Sequence, residues 1–218
     1  VTAVLMTPDG RYAVTAGDDG AVALWDVNLE AQPDPVHVLL ASELPVTCMA
    51  VSPDGRWLAT SGLSADIKIW DLMADKPDST VKQLEEHSDA VNTLQFSPDG
   101  KTLFSGSDDR VVAAWSIPAQ GEPPVPSRLL TGHVDGVTTL DLSDDGKWLV
   151  SGDAEGGVRL WKTGNADAEP IVLATGRHAV ARVQFAPVAG LFAVATASGE
   201  CSIWEIAGSE CDQVGELS

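Results

Sequence analysis

Positive charge is scarce in this sequence. Its 218 residues carry 13 Lys and Arg against 32 Asp and Glu, a formal net charge of −19, with a pI of about 4.2. Such a surface repels phosphate backbones and anionic lipid heads, which argues against nucleic acid and bare membrane as partners. A basic peptide, a basic protein face or a cation is the complementary ligand, and solubility alone is the competing reading. Cysteine is nearly missing too. Cys48, Cys201 and Cys211 are odd in number and match no metal-knuckle spacing. Cys48 lies in an apolar run and reads as a small core residue. No apolar run approaches the roughly 18 residues of a membrane helix. The first residues lack the basic, apolar and small-residue segments of a signal peptide. These absences fix no compartment, and a cytoplasmic one is the default expectation. Helical stretches of about 10–15 residues, which parallel-strand crossovers would need, are also missing.

What is present is repetition, which is read before anything else. Five of the seven tryptophans share a setting: ALWD ending at Asp26, KIWD at Asp71, AAWS at Ser116, RLWK at Lys162 and SIWE at Glu205. Trp25, Trp70, Trp115, Trp161 and Trp204 are separated by 45, 45, 46 and 43 residues. A second marker keeps the same beat: TPDG ending at Gly10, SPDG at Gly55 and Gly100, and SDDG at Gly146. The fifth version, APVAG ending at Gly190, is degraded and one residue longer.

Each repeat reads as four short strands. In the third, VNTLQF (91–96) alternates polar and apolar residues. SPDG then turns the chain: Pro98 presets φ, Asp99 tolerates the second central position and Gly100 supplies positive φ. KTLFSGS (101–107) and VVAAWSI (111–117) follow, joined by DDR, and a Pro-rich loop leads to SRLL (127–130). Short strands with a turn about every ten residues predict an all-β fold.

These repeats resemble those of the WD-repeat β-propeller family. The resemblance spans the chain and rests on the terminal W-D, the S-P-D-G turn and the Gly132–His133 dipeptide. It implies one region, 1–218, of four-stranded antiparallel blades at about 1–41, 46–85, 91–131, 137–174 and 180–217. Blades of this kind pack radially around a channel and bury their faces only against neighbours. Family members usually have seven blades. Five repeats fit a closed five-bladed ring or part of a larger ring, and the second is the expectation.

The resemblance also implies a buried hydrogen-bond network in each blade, of His, Ser or Thr, Asp and Trp. The third repeat carries all four as His87, Ser105, Asp109 and Trp115. The fourth has His133, Ser151 and Trp161, with Glu155 at the Asp position. The first has Thr15, Asp19 and Trp25. The second has Thr60 and Trp70, with Ser42 and Ser64 in place of His and Asp. The fifth keeps Trp204, with Val194 and Ser198 at the Ser and Asp positions and His178 two residues out of register. Buried polar groups must be paired, so the reading is structural, with less rigid second and fifth blades. A Ser-His-Asp triad is excluded because a nucleophile needs exposure and an oxyanion hole.

Other candidates are weaker. The DDG pairs at 18–20 and 144–146 lack the further ligands and closing Glu of a calcium loop. No phosphate-binding glycine loop or zinc spacing is present, so neither metal nor cofactor is expected. His37 reads as a half-exposed outer-strand residue, and Trp57 and Trp148 as blade-surface packing.

Partners of a propeller meet its faces, since strand edges are mostly protected. In the family it resembles, the loops entering each inner strand and those joining the second and third strands share one face. Here they carry Glu43, Asp66, Glu85, Glu86, Asp89, Asp108, Asp109, Asp135, Asp153 and Glu155, some of them network members turned inward, with Asp18 and Asp19 from the first blade and few cations, Arg110, Arg177 and Arg182. Arg182 falls on an inner strand, otherwise small and polar at that level, and points towards the channel. The function expected is a non-enzymatic scaffold for protein–protein interaction whose acidic rim favours a basic protein or peptide. The alternative is a structural or regulatory propeller segment of a larger multidomain protein or assembly. A propeller enzyme would need a catalytic constellation outside the repeated network, and none is found. Val1 aligns with Val46, Val91, Val137 and Val180, and Leu217 with Leu40, Leu84, Leu130 and Leu173. The opening VTAVLMTPDG is accordingly read as a boundary between blades.

Overall fold

The computed structural model describes residues 1–28, 34–118, 124–165, 168–174, 177–188, 190–208 and 210–217. It contains five four-stranded antiparallel sheets, each built from consecutive strands. The first blade comprises β1 (Ala3–Met6), β2 (Tyr12–Ala16), β3 (Ala21–Asp26) and β4 (His37–Leu40). The second has β5 (Val46–Val51), β6 (Trp57–Gly62), β7 (Ile67–Asp71) and, after a 3-10 turn at Pro77–Thr80, β8 (Lys82–Leu84). The third has β9 (Val91–Phe96), β10 (Thr102–Ser107), β11 (Val112–Ser116) and β12 (Val125–Leu130). The fourth has β13 (Val137–Leu142), β14 (Trp148–Asp153), β15 (Gly157–Lys162) and β16 (Ile171–Ala174). The fifth has β17 (Val180–Phe185), β18 (Leu191–Thr196), β19 (Cys201–Ala207) and β20 (Glu210–Leu217). Among the described residues no helix is long and apolar enough to cross a membrane.

The periodic turns are closed by their own side chains. Gly100, at φ 70°, donates its N–H to the Ser97 carbonyl at 2.8 Å. The Ser97 hydroxyl bonds the Asp99 carboxylate at 2.7 Å and accepts the Thr102 N–H at 2.9 Å. That hydroxyl and the Lys101 N–H hold the Asp99 carboxyl below its ordinary range. Thr7, Ser52 and Ser143 play the same part for Asp9, Asp54 and Asp145. In the fifth repeat Ala186 and Val188 take the places of Ser and Asp, which removes both partners.

Each blade has a leading face, turned to the preceding blade, and a trailing face, turned to the next. On the third blade the leading face is Val91, Leu94, Phe96, Leu103 and Trp115. It closes a buried cluster with Ala59, Ile67, Ile69 and Leu84 of the second blade. Three equivalent clusters join blades one and two, three and four, and four and five. Among the described residues no core cluster joins the fifth blade to the first. The opening valine of an inner strand is a knob set into a hole. A Cβ on Gly106 would lie 2.6 Å from Val137 Cγ1, and one on Gly152 would lie 2.4 Å from Val180 Cγ1.

A polar latch ties successive inner strands. Thr2, Asn92 and Thr138 donate to the carbonyls of Val46, Val137 and Val180, and the Cys48 thiol donates to that of Val91. The Cys48 side chain is a core residue, and burial pushes its thiol up to about 12. All five inner strands line a channel, with cavities of about 550 and 520 Å³ towards its two ends.

Two expectations from sequence need correction. Leu40 is not the counterpart of Leu84, Leu130 and Leu173. Leu39 is: it pairs with Val22 as Leu84 does with Ile67, and it is buried whereas Leu40 is exposed. A one-residue slip flips a strand's faces, and a run of two leucines hides it. Trp57 is not on the blade surface. It is buried in the cluster between the second and third blades, with the Arg56 guanidinium 4.8 Å from its ring centroid. Its counterpart Trp148 is half-buried, with the Lys162 ammonium 5.2 Å from its ring. His37 is half-buried on β4, as expected.

Candidate functional site

The loops of one face lie directly over the polar network. In the third blade Asp109 Oδ2 bonds His87 Nδ1 at 2.8 Å, His87 Nε2 bonds Ser105 Oγ at 2.8 Å, and Trp115 Nε1 donates to Ser105 Oγ at 2.9 Å. One neutral tautomer satisfies every atom: Nδ1–H donates to the carboxylate, and Nε2 accepts from the hydroxyl. Asp109 also accepts the N–H groups of Ser88 and Val111, each at 3.0 Å. Burial alone would push its carboxyl up; these donors and His87 outweigh it and hold it down. Ser105 and Ser151 are fully buried, so neither hydroxyl meets the exposure a nucleophile needs.

The fourth blade repeats the geometry with a different carboxylate. His133 Nδ1 bonds Asp153 Oδ2 at 2.8 Å, His133 Nε2 bonds Ser151 Oγ at 2.7 Å, and Trp161 Nε1 donates to Ser151 Oγ at 2.8 Å. Glu155, the sequence candidate, is exposed on the turn and contributes only its backbone N–H, 3.1 Å from Asp153 Oδ1. Asp153 ends β14 two residues earlier and folds back into the turn. Gly157 makes this possible, because a Cβ there would sit 2.5 Å from Asp153 Oδ2. The Gly156–Gly157 pair, against Arg110–Val111 in the third blade, is the sequence signal for the exchange.

Burial lowers the His133 pKa below its ordinary 6.5, only partly offset by Asp153. A second proton on Nε2 would also displace the Ser151 hydroxyl. The unfolded chain then binds the proton more readily than the folded one. The stability owed to neutral His133 is complete above about pH 6.5 and drains as pH falls towards the lowered folded value. Urea midpoints from about pH 7.5 down to 5 should fall for the native chain and stay flatter for His133→Gln; parallel slopes would sink this assignment.

The remaining blades keep part of the network. Trp25 Nε1 donates to Thr15 Oγ1 at 3.0 Å, and Trp70 Nε1 to Thr60 Oγ1 at 3.2 Å. Asp19 accepts the Ala21 N–H, Ser42 the Leu44 N–H, and Ser64 donates to the Asp66 carbonyl, so these three serve local turns. The fifth blade has a replacement that the sequence reading missed. Ser202 Oγ accepts Trp204 Nε1 at 2.8 Å. Ser202 pairs across the strands with Val194, which holds the usual acceptor position, so the hydroxyl has moved to the facing residue. His178 is exposed. Ser202→Ala should cost about 1 kcal/mol by leaving the indole N–H unpaired, read as a lowered melting midpoint; an unchanged midpoint would show the bond to be dispensable.

Backbone bonds staple the loops of one face together. The Asp108 N–H donates to the Ala90 carbonyl at 2.9 Å, the Ala154 N–H to Gly136 at 3.0 Å, and the Ala197 N–H to Ala179 at 2.8 Å. With Asp109 and Asp153 turned inward, the remaining acids stay outside. Asp18, Asp19, Glu43, Glu85, Glu86, Asp89, Asp108 and Glu155 are exposed, and Asp66 and Asp135 are half-buried. Asp108 accepts the Asn92 amide at 2.6 Å, which fixes one carboxylate above the channel. Arg110 stands among these acids at φ 72°, the left-handed region that Gly20, Gly156 and Gly199 occupy at the same turn position in other blades. That conformation costs a non-glycine residue about 1 kcal/mol. Arg182 lies on β17 and lines the channel instead of the loops. Its charge partly offsets the burial that raises the Asp141 carboxyl, which accepts the Phe185 N–H at 2.7 Å.

A comparison with curated proteins found no match. The family model described as "WD domain, G-beta repeat" matches residues 1–26, 33–71, 78–116 and 124–162. Those matches end in the third strand of each of the first four blades. The fifth blade, with its degraded turn and displaced serine, lies beyond them and yet folds as a fifth four-stranded sheet. By four matched repeats and by its blades, this chain belongs to the WD domain, G-beta repeat family, whose members are typically non-enzymatic and generally serve as scaffolds for protein–protein interaction.

Proposed function

We propose that this propeller is a non-enzymatic scaffold that docks a basic protein or peptide on the loop face above its channel. The observation that supports this is the sorting of carboxylates. Those that complete the network turn inward, while Glu43, Glu85, Glu86, Asp89 and Asp108 remain exposed on one set of stapled loops. The loops are held by buried polar contacts, so a partner meets a surface already arranged and loses little to loop ordering. Charges of one sign on such a face speed encounter and select partners of opposite sign.

The test is a screen of arrayed Lys/Arg-rich peptides against acidic and neutral ones, followed by titration of the best binder across salt. Binding of a basic peptide that weakens steadily from about 0.05 to 0.5 M salt is expected, as screening shortens the reach of exposed charge. Salt-insensitive binding, or preference for neutral peptides, would remove the rim as the site.

A further inference from the structure

One of the joints between blades is packed differently from the others. Between blades two and three, Trp57, Ile69 and Ile117 lie together in the buried cluster. Trp148, Leu160 and Ile206 hold the same three places between blades four and five, and Tyr12, Leu24 and Leu72 hold them between blades one and two. Between blades three and four the places fall to Thr102, Ala114 and Thr163. Each is smaller than its counterparts, and neither threonine belongs to the buried cluster of that joint. Phe104 is larger than Val14, Ala59, Val150 and Ala193 at its own place, but it does not make up the difference. A cavity of about 340 Å³ remains, lined by all three small residues and walled by Phe104, Leu149 and Trp161. Apolar concavities of about 300–1,000 Å³ are where ligands and anchoring side chains seat.

We propose that this cavity is a docking site for a tryptophan side chain of a partner peptide that carries an acidic residue next to it. Trp57 is the template for the anchor. It is 6% exposed, pressed between the second and third blades, at the place that Thr102 leaves open one blade later. Aromatic side chains seated in such pockets carry much of the energy of an interface. The lip supplies the charge. Arg128 and Lys162 line it, and Arg128 Nη1 donates to the Lys162 carbonyl at 3.2 Å, which holds the guanidinium across the joint. Among the described residues neither cation is in an ion pair with a carboxylate. The two acids on the lip are already engaged. Asp99 accepts the Ser97 hydroxyl at 2.7 Å, and Asp145 pairs with the Lys147 ammonium at 2.9 Å. The planar fork of Arg128 suits a partner's carboxylate. A second copy of this chain has no such anchor to offer, since its exposed large apolar residues among those described are valine, leucine and methionine. The cavity adjoins the S-P-D-G turns, at the other end of the strands from the acidic rim, and its failure would leave the rim reading standing.

The experiment titrates the whole chain with three capped dipeptides, N-acetyl-Trp-Glu-amide, N-acetyl-Trp-Lys-amide and N-acetyl-Ala-Glu-amide. Amide NMR shifts of Gly146, Thr163 and Gly164, which line the cavity, report binding. The Trp-Glu peptide is expected to shift them saturably, the Trp-Lys peptide to bind at least about threefold more weakly, and the Ala-Glu peptide to leave them in place. Arg128→Gln should remove the preference for Glu over Lys. Thr102→Trp supplies the chain's own indole, so it should raise the melting midpoint and abolish the shifts. Thr163→Ile, with the residue type of Ile117 and Ile206, serves as a second plug if the first overpacks the joint. Absence of saturable shifts, equal shifts from the Ala-Glu peptide, or binding that persists in a folded plugged variant would overturn the proposal. Equal affinity for the Trp-Glu and Trp-Lys peptides would overturn its acidic half.

Discussion

Asp153→Ala is expected to destabilise the chain by about 3 kcal/mol, and Glu155→Ala by less than about 0.5 kcal/mol. Removing the Asp153 carboxylate strands three donors. These are His133 Nδ1, 2.8 Å away, and the N–H groups of Glu155 and Gly157, at 3.1 and 2.7 Å. His133 and Asp153 are both buried, so the His133 Nδ1–H in particular is cut off from water as a replacement partner. A buried donor left unpaired costs about 1–3 kcal/mol, and orphaning several together places the sum at the upper end. Glu155 loses no side-chain contact of this kind. Asp109→Ala in the third blade should cost about 1–3 kcal/mol on the same grounds. Urea titration measures all three. Equal losses for Asp153→Ala and Glu155→Ala would return the carboxylate to Glu155.

Gly152→Ala should be comparably damaging although it adds only a methyl group. The new Cβ would lie 2.4 Å from Val180 Cγ1 and 2.6 Å from Val180 Cβ. Val180 is β-branched and held in the cluster between the fourth and fifth blades, so it has no alternative rotamer to retreat into. Relief requires β17 to move away from the fourth blade's β14, which stretches the Thr138 latch. Overpacking of this kind costs about 1–3 kcal/mol, and about 3 is expected here. A Gly152→Ala, Val180→Ala double variant should recover part of the loss, a positive coupling that neighbours in contact show. Additive losses in that cycle would mean that the knob-and-hole contact does not govern the interface.

How much of this was legible in the sequence depends on whether a feature is periodic. Trp and the S-P-D-G turn recur at almost fixed spacing, so blade number, strand order and the third blade's network could be read directly. Features that break the period were not legible. Asp153 replaces Glu155 because a second glycine lets an earlier carboxylate fold back, an exchange visible only once the turn is closed. Ser202 replaces Val194 across a strand pair, a step of eight residues along the chain but a direct contact in the sheet. Leu39 and Leu40 are equivalent to composition and opposite in the pleat. Trp57 and Trp148 occupy matching places, yet one is buried between blades and the other is only half-buried against its inter-blade cluster, beneath Lys162. The exposure of most loop acids was legible because exposed turns tolerate charge wherever no partner draws it inward, whereas their part in binding is a proposal.

The most direct measurement compares two variants of equal charge change against the best basic peptide from the array. One neutralises Glu43, Glu85, Glu86, Asp89 and Asp108 on the rim. The other neutralises Asp75, Asp78, Glu205, Asp212 and Glu216, which are exposed elsewhere on the blades. A docking rim predicts that the first variant loses at least about tenfold in affinity, roughly 1.4 kcal/mol, while the second stays close to the native chain. Equal losses in both would show that net charge alone attracts the peptide, and would contradict a specific site on the loop face.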